Sequence, residues 1–134
     1  MKRQYYISIE EEKLAEFAKS KIKGPLFMLN LVKYKISVPE TGLSGKESYQ
    51  EYMRQATPFF LKAKAAVLFF GTPMHMLIGP EDGREWDDVL LVKYNSVSDF
   101  MTMITTKGYP VHLRAQALID SRLMHCTTHE PTST

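Results

Sequence analysis

Residues 25–35, Pro25-Leu26-Phe27-Met28-Leu29-Asn30-Leu31-Val32-Lys33-Tyr34-Lys35, set the strongest limit on what this chain can fold into. A nearly continuous apolar run of this length is the pattern of a strand buried on both faces. Period-2 geometry puts Met28, Asn30, Val32 and Tyr34 on one face and Phe27, Leu29, Leu31 and Lys33 on the other. One amide stands among these hydrophobics. Burying an amide costs about 1–3 kcal/mol unless its hydrogen-bonding groups are met, so Asn30 calls for a polar neighbour or a ligand.

The other segments arrange themselves around that strand. Ser8-Ile9-Glu10-Glu11 has capping-box spacing, and Leu14, Phe17, Ala18 and Ile22 recur at helical intervals before Gly24. This predicts a surface helix over 9–22. Residues 36–45 hold Pro39, Gly42 and Gly45, which is loop chemistry, and a loop that long is suited to a lid or a mobile excursion. Ser44-Gly45-Lys46-Glu47 is a second capping box. It opens a helix with the stripe Tyr49, Tyr52, Met53, Ala56, Phe60 and Ala63, within which Pro58 predicts a kink or break.

A second strand is expected over 65–70, with a bulge or bend at Gly71-Thr72-Pro73 and extended chain on to Ile78. A turn over 79–83 follows, then a third strand over 86–94 that is again apolar on both faces. Ser96 caps a third helix that Gly108 ends. Tyr109-Pro110 opens a short fourth helix, and a last strand covers 119–126. The polar tail, 127–134, is expected to be disordered.

Without the first helix, the order is β-α-β-β-α-β, the ferredoxin-like split βαβ arrangement with a four-stranded antiparallel sheet. Helices then cover one face only, yet the first and third strands are apolar on both. A second copy packed sheet to sheet covers the bare face, which predicts a homodimer with a single α+β domain per chain, a dimeric α/β barrel.

Pro25-Leu26-Phe27-Met28-Leu29-Asn30-Leu31, Ser48-Tyr49-Gln50-Glu51-Tyr52, the run from Trp86 through Ser96, and Tyr109-Pro110 to Arg114 together resemble one family. It is catalogued as domain of unknown function 1330, within the dimeric α/β-barrel superfamily. The resemblance covers about residues 25–125 and leaves out the first helix and the tail. It implies the same barrel dimer. The superfamily includes cofactor-independent monooxygenases of aromatic polyketides, haem-degrading proteins, lactone isomerases and members with no shown chemistry, so it implies fold more than reaction.

Composition excludes several classes. With a net charge of +2 and scattered Lys and Arg, neither nucleic acid nor an acidic membrane surface is an expected partner. No apolar stretch approaches the roughly 18 residues that span a bilayer, and no signal-peptide pattern opens the chain. The one cysteine, Cys126, excludes an internal disulfide and fits a reducing compartment, so the cytoplasm is the expected location. His75, His112, His125, His129 and Cys126 lack metal-ligand spacing, and no glycine-rich loop cradles phosphate, so neither a metal nor a cofactor is expected.

Asn30 is read as an amide orienting a ligand or satisfied by its neighbours. Tyr49 and Tyr52 lie on the core stripe, where a phenol near Asn30 can donate a hydrogen bond. His112 and Arg114 are about 200° apart around a helix, and Arg114 shares its side with Val111 and Leu118. Arg114 is therefore the inward residue, holding a carboxylate ligand or an acid such as Asp87 or Asp120. His112 is the acid–base candidate, against a plain solvent-facing reading.

Two functions from different classes follow. One is an enzyme, monooxygenase- or isomerase-like, acting without a tightly held cofactor on a small apolar or aromatic molecule. Asn30, Tyr52, His112 and Arg114 would be catalytic, and Met28, Tyr34, Tyr49, Trp86 and Tyr109 would line the pocket. The other is a non-catalytic small-molecule-binding or structural dimer. Haem binding, for which one histidine suffices, is a third.

Overall fold

The structure, a computed structural model, describes residues 4–80 and 85–129. Its elements run α1 (Glu11–Ala18), β1 (Leu26–Tyr34), α2 (Gly45–Lys62), β2 (Ala66–Gly71), β3 (Asp88–Tyr94), α3 (Val97–Thr105), α4 (Val111–Ala117) and β4 (Leu118–Cys126). All strand pairs are antiparallel and the sheet order is β2-β3-β1-β4. This is the ferredoxin-like order, with the two-faced apolar strands β1 and β3 at the centre.

On the helix-covered face, Leu26, Met28 and Val32 of β1 and Leu90, Val92 and Tyr94 of β3 are buried against Tyr49, Tyr52, Ala56 and Phe60 of α2 and Phe100 and Met103 of α3. The register places Phe69, Leu91, Leu29 and Met124 in one row across all four strands of the opposite face. That face carries no helix of its own. Its central residues are only half-buried, and Phe69 and Met124 are exposed.

Local signals and tertiary packing disagree in several places. α1 is shorter than the expected 9–22, and Glu10 rather than Ser8 is its N-cap, with no side-chain cap. Tyr6 explains the shift, because its N–H donates to Asp120 Oδ1 (2.9 Å) and its carbonyl accepts from Ser121 Oγ (2.7 Å). These bonds hold the chain just before Ser8 extended along β4. α1 buries none of its residues, so no packing prolongs it, and a short unsupported helix is marginal.

α2 carries the full capping box at Ser44 and Glu47, and it runs unbroken through Pro58. The expected break does not occur because Pro58 sits on the exposed side, while Tyr49, Tyr52, Ala56 and Phe60 anchor the helix on either side of it. Gly45 is required at the start of α2: a Cβ there would fall 2.1 Å from Lys35 O and 2.8 Å from Ala117 O, both backbone atoms. Residues 36–44 form a bridged turn, with Val38 N–H donating to Leu43 O (2.8 Å) and Val38 itself buried. Thr41 Oγ1 bonds Ser48 Oγ (2.7 Å) and ties this turn to α2.

β2 spans Ala66–Gly71, as expected within a residue, and Pro73, which has no N–H, keeps the chain that follows out of the ladder. A register shift falls inside the strand, between Val67 and Phe69. β3 begins at Asp88 rather than Trp86, because Asp87 leaves the ladder to bond the β1 backbone. Pro110 is the N-cap of α4 rather than its first residue. The expected turn over 79–83 and disordered tail over 127–134 lie partly outside the described residues. Among the described residues, no helix is long and apolar enough to cross a membrane.

Candidate ligand-binding site

Asn30 sits in the middle of the helix-facing row Phe70–Leu90–Asn30–Leu123, flanked on both sides by leucines. It is 7% exposed, so its amide must find partners inside the protein. Oδ1 accepts from Arg114 Nη2 at 3.1 Å, and Nδ2 makes a long contact to Met28 O at 3.4 Å. Arg114 reaches this point from α4, one turn beyond the Pro110 cap, and its Nη1 makes a long contact to Ile7 O at 3.5 Å.

Both acceptors are neutral. The acids expected to pair with Arg114 are engaged elsewhere: Asp120 accepts from Arg122 Nη1 at 2.8 Å, and Asp87 Oδ2 accepts from Tyr34 N–H at 2.8 Å. Among the described residues, no carboxylate forms an ion pair with Arg114. A half-buried guanidinium is thus held in place by dipoles while its charge goes uncompensated.

Behind Arg114 lies a layer of phenols. Tyr49 contacts the rings of Tyr34 and Tyr52 at 5.5 and 5.3 Å, and Tyr52 meets Tyr109 edge-on at 6.2 Å, their hydroxyls hydrogen-bonded. Burial pushes Tyr49 up to about 12, partly opposed by the nearby Arg114 charge. Its hydroxyl makes no hydrogen bond of good geometry, with the Arg114 guanidinium its polar neighbour. Burial pushes Tyr109 up to about 12 and raises Tyr52 and Tyr94 as well. Tyr34 is raised by burial and by its bond to Asp88, whose other oxygen accepts from Thr72 Oγ1 at 2.6 Å. Near neutrality these phenols are donors, not bases.

In front of Arg114, a cavity of about 630 Å³ opens beneath α1, within the usual size of small-molecule sites. Leu14 and Phe17 of α1, Met28, Phe100 and Leu123 supply apolar wall, Arg114 and His125 supply polar groups, and Glu10, Lys13 and Arg122 add further charges of both signs to the lining. The imidazole of His125 makes no hydrogen bond among the described residues, and its Nε2 is sealed from solvent. The Phe17 ring stands edge-on to it at 5.5 Å.

Of the residues expected from sequence, Met28 and Arg114 line this cavity, and Asn30 positions Arg114 from behind. Tyr49, Tyr52 and Tyr109 form the phenol layer, and Tyr34 belongs to the Asp88 cluster. Trp86 is not in the cavity wall; the Arg122 guanidinium lies 5.0 Å from its ring centroid and 5.1 Å from that of Tyr6. His112 is exposed and absent from the lining, because it lies on the opposite side of α4 from Arg114. Sequence reasoning missed Tyr6, Phe17 and His125. The Leu14–Phe17 stripe was their one visible signal, since it required a surface beneath α1. Among the described residues, no three His, Cys, Asp or Glu side chains converge as metal ligands.

The N-terminal strap depends on one carboxylate. Burial alone would raise Asp120, but the Tyr6 N–H, the Arg122 guanidinium and the Ser121 N–H outweigh it and hold its carboxyl below the usual range. A group depressed in the folded state contributes stability above its unfolded value, about 3.9, and that contribution is lost as pH falls through the folded value. Strap protection in hydrogen exchange is therefore expected to persist to about pH 4 and fall below it. Asp120→Asn is expected to weaken protection at neutral pH and flatten this acid step.

The whole chain has close structural counterparts. It is similar to two crystal structures of the RPA0582 protein, one of the methylated protein and one titled a protein of unknown function from Rhodopseudomonas palustris and a structural genomics target. Sequence identities are 33% and 34%, and the TM-score is 0.87 for both. The matches cover 96% of this chain and 98% and 100% of those chains. No family model matches the chain, and no curated protein does.

Proposed function

Since the chain belongs to the same family as the RPA0582 protein, itself of unknown function, we propose from the site that it binds a small, partly apolar organic anion. Arg114 carries this reading: it is half-buried, lines a cavity with Leu14, Phe17, Met28, Phe100 and Leu123, and is bonded only to neutral acceptors. An entering carboxylate meets a positioned guanidinium, the favoured geometry for charge-assisted recognition. Hydrogen bonds to charged groups contribute about 1.5–3 kcal/mol. Arg114→Gln is therefore expected to weaken binding of small carboxylic acids by about 10- to 100-fold in calorimetric titration. Their uncharged amides should bind equally poorly to both proteins. Equal acid affinity for the variant and the parent would remove the reading.

A second reading, turnover of the bound molecule by oxygenation or isomerisation, is favoured by the unpaired His125 imidazole in the same cavity. A new product after incubation with the bound acid would support it. We also propose that the family is the one catalogued as domain of unknown function 1330, and that the chain works as a homodimer in the cytoplasm. The row Phe69, Leu91, Leu29 and Met124 supports the homodimer, as do the exposed Met74, Met76, Leu77 and Ile78 that follow β2. The free Cys126 fits a reducing compartment.

A further inference from the structure

We infer that the ligand is an apolar carboxylic acid with a second hydrogen-bonding group, gripped by Arg114 at one end and His125 at the other. This rests on the proposed reading of the cavity and adds the second point of attachment. The spacing comes from the sheet. Arg114 bonds Asn30, whose cross-strand partner is Leu123, whereas His125 pairs with Met28. Asn30, which holds Arg114, and His125 are thus diagonal neighbours on the helix-facing side of β1 and β4, about 7–8 Å apart along the backbone.

Met28 and Leu123 on the sheet and Phe17 and Phe100 on the helices supply apolar wall in the same cavity. An imidazole nitrogen sealed from water without a partner has given up hydration for nothing in the free protein. A ligand hydroxyl restores that bond, since neutral imidazole offers one donor and one acceptor. Phe17, which stands against the imidazole on a helix with no buried residue, is the wall that turns aside. A hydroxyl and a carboxylate at opposite ends of one aromatic ring offer those two groups on an apolar body.

The test uses the full chain and three probes in calorimetric titration: 4-hydroxybenzoate, benzoate and 4-hydroxybenzyl alcohol. The expected order is 4-hydroxybenzoate about tenfold tighter than benzoate, with the alcohol weakest. His125→Phe is expected to erase the tenfold preference, so that the two acids bind this variant equally, and His125→Gln, which still hydrogen-bonds, to retain part of it. Melting curves of both variants establish that they are folded. Equal affinities for the two acids, or a preference that survives in His125→Phe, overturn the inference and leave the Arg114 reading standing. If neither acid binds, both fall together.

Discussion

Tyr49→Ala is expected to lower unfolding stability by about 3–5 kcal/mol, and Tyr49→Phe to change it by less than about 1 kcal/mol. Tyr49 is fully buried beneath α2 and packs against Tyr34, Tyr52 and Phe70, the last at 6.4 Å between ring centroids. Truncation removes the transferred apolar surface and leaves a cavity that a helix pinned at Ser44 and Phe60 cannot collapse to fill. Aromatic pair geometry adds about 0.5–1.5 kcal/mol per contact. The hydroxyl is another matter. It makes no hydrogen bond of good geometry, its polar neighbour being the Arg114 guanidinium already bonded to Asn30, so deleting it costs little. Urea denaturation of the two variants checks both expectations. A loss above 2 kcal/mol for Tyr49→Phe would mean that the hydroxyl is bonded in solution. Against a typical total of about 5–15 kcal/mol, the alanine change consumes a large share of the stability.

The second large effect concerns assembly. If the open sheet face joins two copies, Leu91→Glu is expected to leave a monomer near 15.4 kDa where the parent runs near twice that mass in light scattering. Leu91 lies at the middle of the row from Phe69 to Met124, on the face without helices. A carboxylate there would have to be desolvated between two sheets without a partner, which costs several kcal/mol per ion. The helix-side core is untouched, since Leu91 points away from Leu90 and Val92. Far-UV circular dichroism of the variant is therefore expected to match the parent. A parent protein that is already monomeric would end the barrel reading.

Much of the fold is legible because its causes are local. The continuous apolar runs at β1 and β3 announce the two central strands, and the spacing of Tyr49, Tyr52, Ala56 and Phe60 announces the buried side of α2. Ser44 and Ser96 cap the helices where their spacing indicates, each accepting a backbone N–H three residues on. Helical periodicity alone also turns Arg114 inward and His112 outward.

The rest was decided by contacts between distant segments. Ser8 has the residues of a capping box but is carried past its helix because Tyr6 is tied to Asp120 and Ser121, more than a hundred positions away. The neutral company of Arg114 follows from Asp120 and Asp87 having nearer claims on them, which composition cannot reveal. His125 joins the cavity only because the β1–β4 register sets it beside Met28, and a one-residue slip would send it to the other face. Sequence by itself determined which segments become strands and helices and which side of each is apolar, since periodicity and capping act within a turn or two. Register, the path of the N-terminal strap and the pairing of charges belong to the tertiary structure alone, because each depends on which remote group arrives first at a buried polar atom.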